Sequence, residues 1–154
     1  MSRDSFSIRR LVAADGAFME ALLTTFGNAF DQVETYGAAR PRPEYLARLL
    51  GSDTFIAIVA LKSEKVVGGL TAYELQKFEQ ERSEIYIYDL AVATGHRREG
   101  VATALIRELQ TIAAERGAYV IFVQADLEDE PAIALYSKLG VREDVLHFDI
   151  PPRN

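Results

Sequence analysis

The segment Arg97-Arg98-Glu99-Gly100-Val101-Ala102-Thr103 stands directly before a long amphipathic stretch. Its chemistry is that of an anion site. The first turn of a helix carries unpaired N–H groups and a partial positive charge. Gly100 has no Cβ, so backbone there can approach a ligand closely. Small Ala102 and Thr103 keep the surface open, and Arg97 and Arg98 add positive charge. A diphosphate would be held largely by backbone N–H groups. The segment is neither a Walker loop, which needs Gly-Lys-Ser/Thr, nor a dinucleotide fingerprint, which needs three glycines. Alone, it predicts a helix start suited to an anion.

The other groups able to do chemistry are carboxylates and phenols. Glu84 shares a face with Tyr86 and Tyr88 if Ser83–Val92 is a regular strand. Asp31, Glu34 and Tyr36 lie in a polar stretch, and Asp126, Glu128, Asp129 and Asp149 belong to an acid-rich second half. The formal net charge is −6. That charge supports solubility on one reading and attraction of a cationic substrate on the other. It argues against nucleic acid as a partner, which needs a basic face. There are no cysteines, which excludes disulfides, thiolate metal sites and a cysteine nucleophile. His96 and His147 lack a third ligand at metal spacing, so no metal is expected. The longest apolar run, about Phe55–Leu61, falls far short of the roughly 20 residues of a membrane helix. The N-terminal MSRDSFSIRRL has no apolar core of signal-peptide length, so no membrane association and a cytoplasmic location are expected.

These residues need elements to position them. The 154 residues suit one domain, 1–154, with no repeat or long linker. Phe6–Leu11 alternates in part and predicts a first strand. Asp15 is suited to cap a helix on which Phe18, Leu22, Leu23, Phe26 and Phe30 recur. The polar stretch Asp31–Arg42 interrupts it, and Pro43 opens a second helix that Gly51 stops. Thr54–Leu61, a turn at Ser63–Lys65 and Val66–Leu75 make a hairpin, and Gln76–Arg82 leads to the strand Ser83–Val92. After the loop Ala93–Glu99, Val101, Leu105, Ile106, Leu109, Ile112 and Ala113 form one helical stripe, ended by Arg116 and Gly117. Tyr119–Ala125 reads as a buried parallel strand, Pro131–Leu139 as a short helix stopped by Gly140, and Val145–Ile150 as a closing strand. The order β-α-α-β-β-β-α-β-α-β predicts an α/β (mixed α+β) fold, a mixed and mostly antiparallel sheet with helices on both faces.

With the elements in place, Arg97-x-x-Gly100-x-Ala102 after Leu90-Ala91-Val92 resembles the acetyl-CoA motif of the GCN5-related N-acetyltransferases, Arg/Gln-x-x-Gly-x-Gly/Ala. The strand Tyr119–Ala125 and the helix Pro131-Ala-Ile-Ala-Leu-Tyr136-Ser-Lys-Leu-Gly140 match the pieces that follow in that family. The resemblance covers about Thr54–Phe148. Lys77-Phe-Glu-Gln, Ser83–Val92, Gly117–Asp126 and His147-Phe-Asp further resemble the aminoglycoside 3-N-acetyltransferases of this superfamily. Those enzymes acetylate the 3-amino group of the deoxystreptamine ring of gentamicin-type antibiotics.

The resemblance implies a sheet splayed at the donor site, acetyl-CoA as acetyl donor, and direct transfer to an amine in a ternary complex. It implies that Leu90, Ala91 and Val92 line the pantetheine arm and that Arg97, Arg98, Glu99, Gly100, Val101, Ala102 and Thr103 hold the pyrophosphate. Tyr136 matches the tyrosine that packs at the cofactor and protonates the leaving thiolate. Many relatives place a Glu or His where this chain has Tyr86, a poor base at neutral pH. Asp89, turned by a bulge beside the splay, is the favoured catalytic base, and Glu84 the second. Asp31, Glu34, Tyr36, Tyr88, Asp89, Asp126, Glu128, Asp129 and Asp149 are the candidate contacts for a polycationic acceptor. An acetyltransferase for another amine, such as a polyamine or a protein N-terminus, and a non-catalytic acyl-CoA-binding module remain open beside this reading. Relatives are often dimers, and an edge strand at the C-terminus invites pairing, so a homodimer is expected.

Overall fold

A computed structural model describes residues 5–154. The elements are β1 (Ser7–Arg10), α1 (Gly16–Ala29), α2 (Val33–Gly37), α3 (Pro43–Leu50), β2 (Phe55–Lys62), β3 (Lys65–Gln76), β4 (Ser83–Val92), a 3-10 turn at Thr94–His96, α4 (Val101–Arg116), β5 (Ala118–Val123) and α5 (Glu130–Leu139). The expectation of no signal segment rests partly on residues 1–4, which lie outside the described residues.

Local chemistry explains most boundaries. Pro43 occupies the first turn of α3, where its missing N–H costs nothing. Gly117 closes α4 in the left-handed conformation, φ 75°. The two-residue turn Ser63–Glu64 joins β2 to β3 with φ of 48° and 65°, matching the right-handed twist of a hairpin. Asp15 precedes α1 but does not cap it with its side chain. Its carboxylate instead takes the Val12 N–H at 2.8 Å and the Arg9 guanidinium at 2.7 Å. That pairing holds Asp15 below the usual carboxylate range, chiefly through the Arg9 hydrogen bond. The polar stretch between the first two expected helices contains a helix of its own, α2, which the sequence pattern left as an interruption.

The five strands lie in the order β1-β2-β3-β4-β5. All neighbours are antiparallel except β4 and β5, which α4 connects in parallel. Each strand face has its own core. Phe55, Ala57 and Val59 of β2 join Leu22 and Phe26 of α1 and Leu46 and Leu50 of α3 in one buried cluster. Their neighbours Ile56, Ile58 and Ala60 are equally buried and by alternation face the other way. The glycine pair of β3 shows which helices cover the two faces. A Cβ on Gly69 would run into Leu22 of α1, and a Cβ on Gly68 would lie 3.2 Å from Val101 of α4. The sheet is mixed, mostly antiparallel, with helices on both faces.

Two expectations need correction. Val145–Ile150 forms no strand, because residues 141–154 carry no helix or ladder. A strand exists only where its backbone groups find a neighbour, and here Leu146, Phe148 and Ile150 are 84%, 76% and 88% exposed. The strand β5 is half-exposed rather than buried, with Tyr119 and Val120 reaching solvent. The chain divides into one compact unit ending at Gln124 and a second, Ala125–Asn154, that holds α5.

Candidate functional site

A bulge in β4 turns the Asp89 carboxylate. Thr71 pairs with Asp89 and Ala72 with Ile87, so Tyr88 is an extra residue in the strand. In a regular strand Asp89 would share the face of Ile85 and Ile87, which is core. The bulge puts both Tyr88 and Asp89 opposite Thr71 and aims them at the α1 side. There the Tyr36 hydroxyl donates to Asp89 Oδ2 at 2.9 Å. Burial pushes the Asp89 carboxyl above the ordinary aspartate value, and the Tyr36 hydrogen bond pulls against that rise. Burial, with the Asp89 hydrogen bond and charge behind it, also raises the Tyr36 phenol far enough that it keeps its proton.

Aromatic rings line the sheet around this pair. Tyr73 meets Phe55 at 5.3 Å between centroids and Tyr88 edge-on at 5.8 Å, and Tyr86 stacks on Phe122 at 4.7 Å. The Tyr86 hydroxyl donates to Gln124 Oε1 at 3.2 Å, and burial raises its pKa, so it cannot serve as a base at neutral pH. Tyr88 is 61% exposed, the most open ring of this group. Glu84 lies on the face expected for it but is not joined to Asp89. It accepts from the Tyr119 hydroxyl at 3.1 Å and faces the Lys77 ammonium at 3.7 Å. Asp31, in the left-handed conformation at φ 54° just before α2, and Glu34, in the first turn of α2, are exposed.

The ladder between β4 and β5 ends at Ile87↔Val123, while β4 itself continues through Val92. Pairing with β3 persists from Asp89 to Val92. Leu90, Ala91 and Val92 thus lie beyond the point where the two parallel strands part. After them the chain turns into α4 through Arg98 at φ 63° and Gly100 at φ 82°. No side chain caps α4. Its first-turn N–H groups, from Val101, Ala102 and Thr103, have the geometry that holds an anion. Arg97 Nε donates to the Val92 carbonyl at 3.3 Å, tying the loop to the strand end. Glu99 bonds the Lys62 ammonium at 2.8 Å, which holds its carboxyl below the usual range. That partner compensates a negative charge that would otherwise oppose an anionic ligand. Sequence spacing gave no sign of the Lys62–Glu99 pair, because the partners lie on different elements.

In the second unit, Asp129 accepts from the Ala132 N–H at 3.2 Å and so caps α5. Asp149 bonds His147 at 2.8 Å and is exposed, as are Asp126 and Glu128. Tyr136 lies on α5, and burial pushes its phenol up to about 12, with the Asp129 charge adding to the rise. Among the described residues, no group of three or more His, Asp or Glu side chains gathers in metal-binding geometry. No helix there is long and apolar enough to cross a membrane.

The β4–β5 ladder thus ends before β4 does, an uncapped helix start follows the strand, and the partly buried Asp89 carboxylate lies just before Leu90 on that strand. The chain belongs to the acetyltransferase (GNAT) family, which it matches over residues 19–141. It is 66% identical to an aminoglycoside acetyltransferase from an uncultured soil metagenomic sample, over 97% of this chain and 99% of that one, with a TM-score of 0.94. It is 33% identical, with a TM-score of 0.89, to a second aminoglycoside acetyltransferase from such a sample, in complex with sisomicin, over 96% of this chain and 97% of that one. Over 89 residues it is 30% identical to the streptothricin acetyltransferase of Streptomyces lavendulae, covering 58% of this chain and 44% of that protein. The chain spans about half or less of the length of the curated relatives it matches.

Proposed function

We propose that this protein transfers the acetyl group of acetyl-CoA to the 3-amino group of the deoxystreptamine ring of gentamicin-type aminoglycosides. The carrying observation is the Asp89 carboxylate, aimed by the β4 bulge and held at 2.9 Å by Tyr36 on an aromatic-lined face. Likeness to two aminoglycoside acetyltransferases supports the acceptor class. The resemblance of Lys77–Val92 and Gly117–Asp126 to the 3-N-acetyltransferases supports the position.

The uncapped start of α4 fits a diphosphate, and Val101, Ala102 and Thr103 would hold it with Arg97 and Arg98 nearby. Acetyl-CoA supplies the acyl group as a thioester. Asp89 takes a proton from the acceptor ammonium, freeing the nitrogen lone pair for attack on the acyl carbon. The C–N bond forms and the C–S bond breaks, Tyr136 gives its proton to the departing sulfur, and the second proton shed by the acylated nitrogen passes through solvent to restore the Tyr136 phenol, leaving the neutral amide and the CoA thiol. A phenol near 12 holds its proton at neutral pH and gives it up only to a strong base such as a thiolate in a desolvated site. Chain chemistry without cysteine agrees with direct attack and no acyl-enzyme. Asp31, Glu34, Tyr88, Asp126, Glu128 and Asp149 would meet the remaining ammonium groups, and Asp129 would do so while capping α5. The same reading takes both units as one domain and the protein as a cytoplasmic homodimer that protects its host from the antibiotic.

The test is thiol release from acetyl-CoA with gentamicin or kanamycin, and nuclear magnetic resonance of the product to locate the new amide. Acetylation at the 3-amino group is expected. Modification at another amine moves the regiochemistry. No release with aminoglycosides, but release with polyamines or peptides, replaces the acceptor. CoA binding without turnover on any amine leaves only an acyl-CoA-binding module.

A further inference from the structure

We infer that Tyr36 is a positioning residue for the proton acceptor, fixing one oxygen of Asp89 and leaving the other for the acceptor amine. The role rests on the reaction proposed above, in which Asp89 receives the proton. Three independent constraints hold Tyr36 in place. Its ring sits 6.0 Å from Phe26 and 5.9 Å from Phe30, between centroids. Arg40 donates to the Tyr36 carbonyl at 2.9 Å, to the Glu20 carbonyl at 3.2 Å and to Thr24 Oγ1 at 3.3 Å, clamping α2 to α1. Gly27 of α1 admits α2 closely, since a Cβ there would lie 3.3 Å from both the Tyr36 Cβ and the Val33 Cα. A five-residue helix on its own would not hold a phenol this firmly.

The direction of the hydrogen bond is fixed by chemistry. A carboxylate only accepts, so the phenol donates. The donor stabilises the ionised form of Asp89 against burial, which favours the protonated form. Tyr73 and Tyr86, on β3 and β4, feel the same charge, and burial raises both phenols. Phe26 and Phe30, which pack Tyr36 from α1, carry no charge. Tyr36 is therefore the donor that keeps Asp89 a base. With Oδ2 engaged, Oδ1 is the oxygen that takes the proton from the ammonium nitrogen, while Tyr36 keeps its own.

The variant Tyr36→Phe removes the hydroxyl and leaves the ring. The expected result is a kcat/KM lower by about tenfold or more on the acidic side, from loss of a hydrogen bond to a charged group. The acidic limb moves to higher pH, and the alkaline plateau returns close to wild type. Phe30→Leu loosens the same packing and keeps the hydroxyl. It should lower the melting temperature and leave the limb where it is. A Tyr36→Phe limb at the wild-type pH, a uniform loss at every pH, or an equal limb shift in Phe30→Leu overturns the assignment. The 13C carboxyl resonance of Asp89, titrated in protein with and without the hydroxyl, gives the same answer without turnover. A wild-type enzyme inactive on every amine would refute the proposed reaction, whereas an unmoved Asp89 titration in Tyr36→Phe would refute the role of Tyr36.

Discussion

Replacing Asp89 with Asn changes one atom's identity and separates the catalytic from the structural effect of the charge. Asparagine fills the same volume and keeps an oxygen to accept from Tyr36, so packing is preserved. Its amide cannot take a proton from the acceptor. Loss of a positioned general base lowers rate by about 10²–10⁴-fold, or roughly 3–5 kcal/mol of barrier. Stability should move the other way. The Asp89 carboxyl is raised by burial, so its ionised form opposes folding at neutral pH. For a raised group, stability is full below the unfolded value and is lost as pH rises through the folded one. Asparagine removes that loss. Against it stands the weakening of a charge-assisted hydrogen bond to a neutral one, about 1 kcal/mol. Burial is the larger of the two influences on Asp89, so relief wins. Asp89→Asn is expected to melt at a higher temperature than wild type at pH 7, and to lose that advantage near or below pH about 4, where a free aspartate is protonated. Thiol-release kinetics and melts at the two pH values decide it. Wild-type kcat across the pH range, or a lower melting temperature at pH 7, refutes the reasoning.

Other outcomes follow from the same geometry. Tyr136→Phe should reduce kcat by about 10²-fold with CoA affinity little changed, and an unchanged kcat removes its acid role. Lys62→Gln removes the nearest positive partner of Glu99 beside the proposed anion site, leaving only His96 at 3.7 Å, so calorimetry should show CoA binding weakened by about threefold, less so at high salt. Equal affinity would mean that the pair does not bear on the ligand. Gly69→Ala forces a Cβ against Leu22 and to within 2.7 Å of the Ile58 carbonyl, a backbone atom that cannot swing away. Overpacking of that kind costs about 1–3 kcal/mol, or roughly 2–4 °C of melting temperature per kcal/mol in a chain of this size. Gly95→Ala, with open space around its Cβ, is the control and should melt near wild type.

The sheet and its two main helices were legible because their signals are local. The stripe from Val101 to Ala113, Pro43 at a helix start and Gly117 at a helix end each describe their own neighbourhood. The strand Ser83–Val92 was readable to the residue. The helix α2 was not, because Asp31–Arg42 is polar and α2 owes its place to contacts with α1 through Gly27 and Arg40. Asp89 and Tyr36 were both singled out, but their hydrogen bond joins residues 53 apart in the chain and leaves no trace in spacing. Glu84 lies on the face that alternation predicts. Its partners, Lys77 and Tyr119, come from other segments, which alternation cannot foresee. Val145–Ile150 shows the reverse case, a strand-like pattern without a paired neighbour.

The extra residue in β4 has an evolutionary consequence. A pleated strand offers each side of a sheet only every second residue, so new side chains on one side normally disturb the other. The insertion at Tyr88 sets an aromatic ring and a carboxylate side by side while the flanking pairs, Ala72 with Ile87 and Thr71 with Asp89, stay in phase. Removing the codon for residue 88 would restore an even strand and leave Asp89 facing as it does now. A lineage can therefore add or drop a ring beside Asp89 by a three-nucleotide change, with the opposite core untouched. The register of the strand on either side of that point, and with it the buried residues of both faces, is the same with or without the extra ring.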